Sequence, residues 1–357
     1  MLTIKEISVP GYEKVVEGLD PERGLHCFIA IHDSRLGPSL GGTRIYPYTT
    51  SEEALSDVLR LAKAMTYKSA VAEDGLGGGK SVIIADPGKD KTPDLLYAFG
   101  EVVNHLKGKY IAAEDVGSTI ADMTLINKKT PYVAALSTEK SSGDPSRFTA
   151  WGIYRGIQAV CKKLWHSKSL KGRTVAIEGL GSVGSKLANI LFWEGANLIV
   201  CDVKQNLVHQ AVHDYAAKAV HPDDIYSTEC DILSPCAMGG SLNAVTLPLL
   251  RCKAIAGSAN NQLQNPNIGE GLFQKGILYA PDYIINSGGI INAAAEFDPG
   301  GYNPASTRDR VNHIYDILMR IFRKSEIDRI STDQVADLIA EHNLKHQIGK
   351  RKSEITF

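Results

Sequence analysis

The hydrophobic and polar positions up to about residue 135 alternate between the spacing of strands and the spacing of helices. Three runs rich in β-favouring residues predict strands: Leu25 to Ile31, Ser81 to Ala85 and Tyr110 to Ala113. Thr50 and Glu53 form a capping box, after which apolar residues follow at helical spacing, at Leu55, Val58, Leu59 and Ala62. Leu95 to Leu106 predicts a second helix. This part of the chain is therefore predicted to be an α/β unit.

A second alternation of strand and helix patterns runs from Val175 to about Ile285. The most linker-like stretch, Ser141 to Ser146, lies between the two alternations, so we predict a first domain of residues 1–140 and a second of residues 141–325. The remaining segment has apolar residues at helical spacing, and Val335 to Ile348 predicts one further helix.

Composition excludes several classes of protein. The 357 residues carry 39 basic and 40 acidic side chains, so no positive excess exists to hold a nucleic acid. No apolar run is long enough to span a membrane, and the N-terminus lacks the pattern of a secretory signal. The six cysteines form no C-x-x-C pair, which predicts reduced thiols, no metal site and a cytoplasmic protein.

The segment Gly179-Leu180-Gly181-Ser182-Val183-Gly184 matches the pattern G-x-G-x-x-G, which is a weak signal by itself. Its neighbours strengthen it. Arg173 to Glu178 predicts a strand directly before it, a helical pattern follows, and Leu198 to Cys201 predicts the next strand, closed by Asp202. This order is typical of a dinucleotide-binding unit.

Each residue type in this turn has a physical reason. Gly179 permits a tight turn, Gly181 lets the backbone approach a pyrophosphate, and Gly184 allows the helix to pack closely on the sheet. Asp202 can accept a hydrogen bond from a ribose 2′-hydroxyl and would repel a 2′-phosphate. The predicted cofactor is therefore NAD, although Lys204 nearby leaves some use of NADP open.

A second glycine run, Gly77-Gly78-Gly79-Lys80-Ser81, ends in the Gly-Lys-Ser sequence of a P-loop. However, a P-loop needs a glycine where Asp74 stands, and it opens a helix, whereas a predicted strand follows Lys80. We therefore interpret Lys80 as a lysine held by glycines at the mouth of a strand, where the backbone can approach a ligand closely.

Two more polar residues are candidates for the same site. Lys68 lies just past the predicted end of the capped helix, and Asp115 follows the predicted strand that ends at Ala113. Ligands collect at strand ends of α/β sheets, which favours a functional Asp115. An arbitrary lysine is usually a solvated surface residue, so spacing alone does not single out Lys68.

At these residues the chain resembles the leucine, valine and phenylalanine dehydrogenases of the amino-acid (glutamate-type) dehydrogenase superfamily. The resemblance covers nearly the whole chain, and its ordered motifs are far more specific than the glycine turn alone. They are Gly37-Pro38-Ser39-Leu40-Gly41-Gly42-Thr43-Arg44, Met65-Thr66-Tyr67-Lys68, Gly77-Gly78-Gly79-Lys80, Ala113-Glu114-Asp115-Val116-Gly117, Gly257-Ser258-Ala259-Asn260-Asn261-Gln262 and Tyr279-Ala280-Pro281-Asp282-Tyr283.

The resemblance implies an architecture. A mixed-sheet α/β substrate domain comes first, a Rossmann domain with a doubly wound parallel sheet comes second, and the helices of about 326–357 pack back on the first domain. A cleft between the domains closes over the substrate. Such proteins are usually homo-oligomers, but the sequence does not give the size of the assembly.

The resemblance also implies roles. Lys68 holds the substrate carboxylate with help from the Gly41 and Gly42 backbone, Lys80 is the catalytic lysine, and Asp115 exchanges a proton with the amino group. A second cation nearby and a dry site should lower the pKa of Lys80, so that its neutral amine can activate water.

The remaining matched positions concern the nicotinamide and the side chain of the substrate. Thr149 and Asn261 match positions near the nicotinamide and the substrate. The side-chain pocket is apolar at Leu40, Ala113, Ile290 and Ala293. Leu40 stands where glutamate enzymes carry a lysine, which disfavours an acidic substrate. Leu40 shortens the pocket, whereas Ala293 enlarges one wall.

The implied function is NAD-dependent oxidative deamination of a branched-chain L-amino acid to its 2-oxo acid and ammonia. Phenylalanine as the substrate is one alternative, and a catalytically silent NAD-binding regulator is another. The presence of Lys68, Lys80 and Asp115 at the matched positions argues against a protein without catalytic activity. Three departures from the pattern remove no catalytic group: Asn260, Trp151 and the pair Glu73-Asp74.

Overall fold

The computed structural model describes residues 1–136, 141–355 and 357. The described chain divides into two compact units. The first contains Met1–Asp144, Asn292–Pro304 and Ala340–Phe357, and the second contains Pro145–Ile291 and Ala305–Ile339. The predicted domain end at Lys140 lies outside the described residues. The sequence predicts that the helices of about 326–357 pack back on the first domain; residues 340–357 belong to the first unit, whereas residues 326–339 belong to the second.

The first unit is built on a mixed six-stranded sheet of order β1-β2-β3-β5-β4-β6. Strands β4 and β5, and β4 and β6, pair in parallel, whereas the β1-β2, β2-β3 and β3-β5 pairs are antiparallel. The strands are β1 Thr3–Ile7, β2 Lys14–Asp20, β3 Leu25–Asp33, β4 Ser39–Tyr46, β5 Gly77–Ile84 and β6 Tyr110–Glu114.

Helices cover both faces of this sheet. The helix α1, Ser51–Ala72, buries Ala54, Val58 and Ala62 against one face, in a cluster with Phe28 and Val82. The helices α2, Pro93–His105, and α3, Ile120–Asn127, cover the other face, where Phe99 and Tyr110 are fully buried. Because both faces are covered, β3 and β5 are buried almost throughout.

The second unit holds six parallel strands in the order β12-β11-β10-β7-β8-β9. Numbered within this unit, the order is 3-2-1-4-5-6 from β9 to β12, which is the doubly wound order of dinucleotide-binding domains. The strands are β7 Thr174–Glu178, β8 Asn197–Cys201, β9 Lys218–Ala219, β10 Ile232–Pro235, β11 Ala254–Ile255 and β12 Leu278–Tyr279. The predicted fold class, a mixed sheet followed by a parallel doubly wound sheet, is confirmed.

The remaining helices belong mostly to this second unit. They are α4 Ser146–Trp165, α5 Ser182–Trp193, α6 Gln205–Tyr215, α7 Pro266–Gln274, α8 Asp282–Ile285, α9 Gly288–Ala294, α10 Pro304–Asn312, α11 Ile314–Asp328 and α12 Thr332–His346. In the part of the chain that the structure describes, no helix combines the length and apolar character that crossing a membrane requires. All six cysteines are free thiols, and five of them are buried.

Two local predictions were wrong. The helix α1 continues to Ala72, so Lys68 lies inside it rather than beyond its end, because the sequence has no helix breaker between Ala62 and Glu73. The strand β5 begins at Gly77, so the glycines before Lys80 are part of the strand rather than its mouth. Sheet pairing on both sides overrides the weak strand preference of glycine.

Candidate active site

Lys80 and Asp115, far apart in the sequence, meet in the first unit. Lys80 lies within β5 and is only 5% exposed. Its Nζ atom is 3.1 Å from Oδ2 of Asp115, which directly follows β6. A buried amine beside a partly buried carboxylate that follows a strand end is an arrangement that proton-transfer chemistry uses.

The sheet register explains this meeting. Strand β4 lies between β5 and β6, and Leu40 pairs with Gly78 on one side and Ile111 on the other. Side chains in a strand point to the same face at every second residue. Leu40, Gly42, Gly78, Lys80 and Ala113 therefore all lie on one face of the sheet. On this face the predicted pocket residues Leu40 and Ala113 neighbour Lys80.

Gly42 makes room for the pair. A Cβ atom at Gly42 would lie 2.7 Å from Cβ of Asp115 and 3.1 Å from Nζ of Lys80. Gly41 is confined as well, since its Cβ would lie 1.9 Å from the carbonyl oxygen of Gly79. The two glycines therefore serve close packing around the lysine, and Gly42 keeps the space above Lys80 open.

Lys68 lies on helix α1, which packs closely on β5. A Cβ at Gly78 would lie 2.0 Å from the backbone nitrogen of Thr66, so the absence of a side chain lets α1 approach β5 closely. Lys68 follows Thr66 by two residues and is half-buried. The close approach fixes α1 on β5, and the role assigned to Lys68 stays a prediction. The C-terminal helix α12 supports α1 through a hydrogen bond from Asn343 to the carbonyl oxygen of Ala70 at 2.9 Å.

The electrostatics of the pair have a clear direction. Burial lowers the pKa of the Lys80 amine, and the positive charge of Arg44 lowers it further, while Asp115 offsets part of this effect. Burial alone would raise the pKa of Asp115, but the charges of Lys80 and Arg44 outweigh burial and hold it below its ordinary value. The site therefore favours an ionised Asp115 and eases deprotonation of Lys80.

Sequence reasoning missed three residues of this cluster. Arg44 donates from Nε to Oδ2 of Asp115 at 3.1 Å and from Nη1 to Oδ2 of Asp57 at 2.8 Å. Asp57 also accepts from the hydroxyl of Tyr48 at 2.7 Å. Arg44 ends the Gly41-Gly42-Thr43-Arg44 motif, so its place two residues beyond Gly42 was the available signal.

Backbone geometry also orients the carboxylate. The amide of Asp115 donates to Oγ of Ser118 at 2.9 Å, and that hydroxyl donates to the carbonyl oxygen of Thr43 at 2.7 Å. Gly117 has φ +80°, and a Cβ there would lie 2.0 Å from the carbonyl oxygen of Ile45. The Ser118 hydrogen bond and the close packing of Gly117 hold the turn after β6 against β4, and this orients Asp115.

The glycine turn of the second unit joins β7 to α5 at the point where the strand order reverses. Gly179 has φ +93°, and a Cβ there would lie 2.9 Å from the side chain of Ala237. A Cβ at Gly184 would lie 2.0 Å from the carbonyl oxygen of Gly179, which shows how tightly α5 packs on the turn. The predicted reasons for these two glycines are confirmed by their geometry.

Gly181 differs from both because it faces open space. A Cβ there would have no atom of the described chain within 4 Å. It is the N-cap of α5, and no described side chain caps the helix there, so the first turn leaves amide donors for an anion. An open, positively polarised helix N-terminus at the strand switch point fits the pyrophosphate of a dinucleotide.

Asp202 lies at this turn. Its Oδ2 accepts from the amide of Leu180 at 2.6 Å, and its Oδ1 accepts from the amide of Lys204 at 2.7 Å. The carboxylate is thus held by two backbone donors beside the turn. A carboxylate at the end of the second strand of such a unit is the residue type that recognises a ribose hydroxyl, and this role of Asp202 stays a prediction.

Four other predicted residues lie elsewhere in the two units. In the second unit, Oγ1 of Thr149 bonds to the carbonyl oxygen of Pro145 at 3.1 Å, Asn261 has φ +51°, and Ile290 is 7% exposed. Ala293 belongs to the first unit and is 8% exposed. The roles assigned to these four residues stay predictions.

Comparisons with known proteins agree with this picture. The family model for the dimerisation domain of Glu/Leu/Phe/Val dehydrogenases matches residues 14–132, and the Glutamate/Leucine/Phenylalanine/Valine dehydrogenase model matches residues 202–345. Leucine dehydrogenase of Geobacillus stearothermophilus is 49% identical over 97% of this chain and 94% of its own length. Phenylalanine dehydrogenase of Lysinibacillus sphaericus is 43% identical over 95% and 90%.

A solved structure is similar throughout. The crystal structure of L-tryptophan dehydrogenase from Nostoc punctiforme has a TM-score of 0.83 and 41% identity, covering 94% of this chain and 96% of that one. Doubly wound sheet, glycine turn and buried lysine-carboxylate pair together define an amino-acid dehydrogenase that uses NAD. The chain belongs to the Glu/Leu/Phe/Val dehydrogenase family.

Proposed function

We propose that this enzyme oxidatively deaminates branched-chain L-amino acids, with L-leucine foremost, to the 2-oxo acid and ammonia in a reversible reaction. The observation that carries the proposal is the buried Lys80 within β5, 3.1 Å from Asp115, which directly follows β6. The similarity to curated leucine dehydrogenases at up to 49% identity, against 43% for a phenylalanine dehydrogenase, supports this choice of substrate.

Binding and orientation of the substrate fall to the first unit. Lys68, charged and half-buried on α1, holds the substrate carboxylate together with the backbone of Gly41 and Gly42. NAD, when bound, would accept the hydride from the substrate Cα, and the loss of that hydride together with one proton from the nitrogen, taken up by Asp115, would convert the amine into an imine. The glycine turn from Gly179 to Gly184 holds the pyrophosphate, and Asp202 recognises the adenosine ribose.

Lys80 then acts on water. In its neutral form the Lys80 amine takes a proton from the water that attacks the imine carbon, and in its protonated form it stabilises the oxygen of the resulting carbinolamine. Burial lowers the pKa of Lys80, which eases formation of the neutral amine. Asp115, ionised beside it, exchanges a proton with the amino nitrogen, which leaves as ammonia.

The pocket composition supports an apolar substrate. Leu40, 2% exposed, lies on the sheet face that carries Lys80, and an acidic substrate side chain would have to bury its charge against it. Ala113 and Ala293 are small, which leaves room for a larger side chain. Phenylalanine is therefore the second candidate substrate. Ile290 is assigned to the same pocket, and Thr149 and Asn261 to the nicotinamide end of the site.

A substrate panel tests the proposal. NADH absorbance is followed after mixing the enzyme and NAD with L-leucine, L-isoleucine, L-valine, L-phenylalanine or L-glutamate. We expect the branched-chain substrates to give the highest kcat/KM, with leucine and valine differing by about 10- to 200-fold at most. A preference for phenylalanine would support the second candidate. No signal with any amino acid or 2-oxo acid would indicate a silent NAD-binding protein.

Lys80→Ala tests the catalytic assignment. We expect kcat to fall by about 10²- to 10⁴-fold, because a general base is lost, while NADH binding is unchanged. Lys14→Ala is the matched control, since Lys14 is a partly exposed lysine paired with Glu6 at 2.9 Å in the same sheet. Near-normal turnover by Lys80→Ala would overturn the role of Lys80.

Three further properties belong to this proposal. The enzyme is a homo-oligomer, which the family description of residues 14–132 as a dimerisation domain supports. It is cytoplasmic, consistent with six free thiols. The first unit binds the substrate and the second binds NAD.

A further inference from the structure

Arg44 contacts Asp115 next to Lys80, and the proposed function gives Arg44 no role. Its guanidinium lies on the same sheet face as Lys80, with the side chain 22% exposed. Nε donates to Oδ2 of Asp115 at 3.1 Å, and Nζ of Lys80 lies 3.1 Å from that same oxygen. One carboxylate oxygen thus contacts two cations from two neighbouring strands.

The two cations differ in permanence. Lys80 must lose its proton to activate water, whereas a guanidinium stays charged at every working pH. When Lys80 becomes neutral, Asp115 loses half of its positive surroundings in a site where burial opposes a charge. Arg44 keeps its positive charge beside Asp115 when Lys80 loses its own.

We propose that Arg44 is a positioning residue that favours the ionised, proton-accepting form of Asp115 when Lys80 becomes neutral. It acts by a fixed charge and by a hydrogen bond that directs Asp115. The inference rests on the proposed function of Lys80 and Asp115. Arg44 is itself held in place by the carboxylate of Asp57, 2.8 Å from its Nη1.

The other ionisable groups around the pair do not replace Arg44. Among the described residues, the ionisable groups that interact electrostatically with Lys80 or Asp115 include, besides Arg44, Asp57 on α1, Tyr110 on β6 and Glu114 beside Asp115. Tyr48 reaches the cluster only through Asp57 and Arg44. All of these are acids, and none can supply a positive charge. Lys68 is the substrate-binding cation of the proposed function.

The direction in which the pH profile moves on removal of Arg44 follows from the pKa changes of Lys80 and Asp115. Removing Arg44 takes a positive charge away from Lys80, so the pKa of Lys80 rises. The same removal lets burial dominate at Asp115, so the pKa of Asp115 also rises. Activity requires neutral Lys80 with ionised Asp115. Both changes therefore move the rising limb of the pH profile to higher pH.

The test is the pH dependence of kcat/KM for L-leucine and NAD in Arg44→Gln. We expect the rising limb to move up by about one pH unit. The rate at a pH on that limb then falls about tenfold and is regained at higher pH. Arg44→Lys, which keeps a positive charge but not the forked geometry, should bring the limb back toward its original position at a reduced rate.

Arg60→Gln is the matched control. Arg60 is 55% exposed and bonds to Oδ1 of Asp57 at 2.7 Å, so it belongs to the same network without touching Asp115. We expect its profile to superimpose on that of the unaltered enzyme. Circular dichroism and thermal unfolding of all three variants show whether each is folded.

A uniform loss of rate in Arg44→Gln, with the limb unmoved, would overturn the proposal and leave Arg44 a merely structural residue. An equal limb shift in Arg60→Gln would also overturn it. Failure of the proposed function is seen separately. In that case Lys80→Ala would keep normal turnover, whatever the profile of the Arg44 variants.

Discussion

Two glycine-rich segments, one in each unit, need glycine for different reasons: the first for close packing within the chain, the second for open space beside the chain. In β5 the glycines face the chain itself: an added Cβ at Gly78 would lie 2.0 Å from the nitrogen of Thr66, and one at Gly79 would lie 2.9 Å from the ring of Tyr110. In the turn after β7, a Cβ at Gly181 would meet no atom of the described chain within 4 Å.

The contrast separates packing from ligand binding. The glycines before Lys80 let α1 and the strands beside β5 approach closely, so their effect is on packing around Lys80. The space at Gly181 is left for a molecule outside the chain, in line with its place at the open N-terminus of α5. A glycine of the first kind should matter to stability, and one of the second kind to affinity.

The largest expected effect is that of Gly78→Ala. The new methyl group would collide with the backbone of α1, which cannot move without shifting the whole helix. We expect a loss of about 3 kcal/mol in the free energy of unfolding, measured by urea titration, together with a loss of turnover. An unchanged stability would show that α1 can yield, and the distinction between the two segments would fail.

Gly181→Ala should give the opposite result. Its φ of −67° suits alanine, and the methyl group has room, so we expect thermal unfolding to be unchanged within about 0.5 kcal/mol. The NADH dissociation constant, measured by fluorescence titration, should rise about 10-fold or more because the methyl group takes the space of the pyrophosphate. Unchanged affinity would place the pyrophosphate elsewhere.

The same contrast explains what could be predicted from the sequence. The turn from Gly179 to Gly184 is local, since strand, glycines and helix follow one another in the chain, and a short pattern captures it. The site of Lys80 is not local. Its parts come from β4, α1, β5 and the end of β6, and their meeting depends on a strand order that no spacing reveals. Only the resemblance to known enzymes pointed to Lys68.

The two features that the sequence did not predict, the contact of Arg44 and the end of α1, also depend on tertiary structure. Arg44 is the last residue of the Gly37–Arg44 motif, but its contact with Asp115 follows from β4 lying between β5 and β6. The end of α1 was placed too early because apolar spacing fades after Ala62, whereas the close approach at Gly78 keeps the helix on the sheet as far as Ala72. Tertiary packing decided both.

The smallest expected effect concerns cofactor choice in the second segment. Asp202→Asn keeps an acceptor for the amide of Leu180 but removes the negative charge, so repulsion of a 2′-phosphate falls by about 1.4 kcal/mol. The ratio of kcat/KM with NADP to that with NAD should therefore rise about tenfold.

Asp231→Asn is the control for this change, because Asp231 precedes β10 and lies at the amino edge of the same sheet, away from the strand ends that hold the turn. It should leave the NADP to NAD ratio unaltered even if it weakens the fold. If the two variants shift the ratio equally, the charge of Asp202 is not what discriminates. The open space at Gly181 would then define where the pyrophosphate binds but not which dinucleotide is chosen.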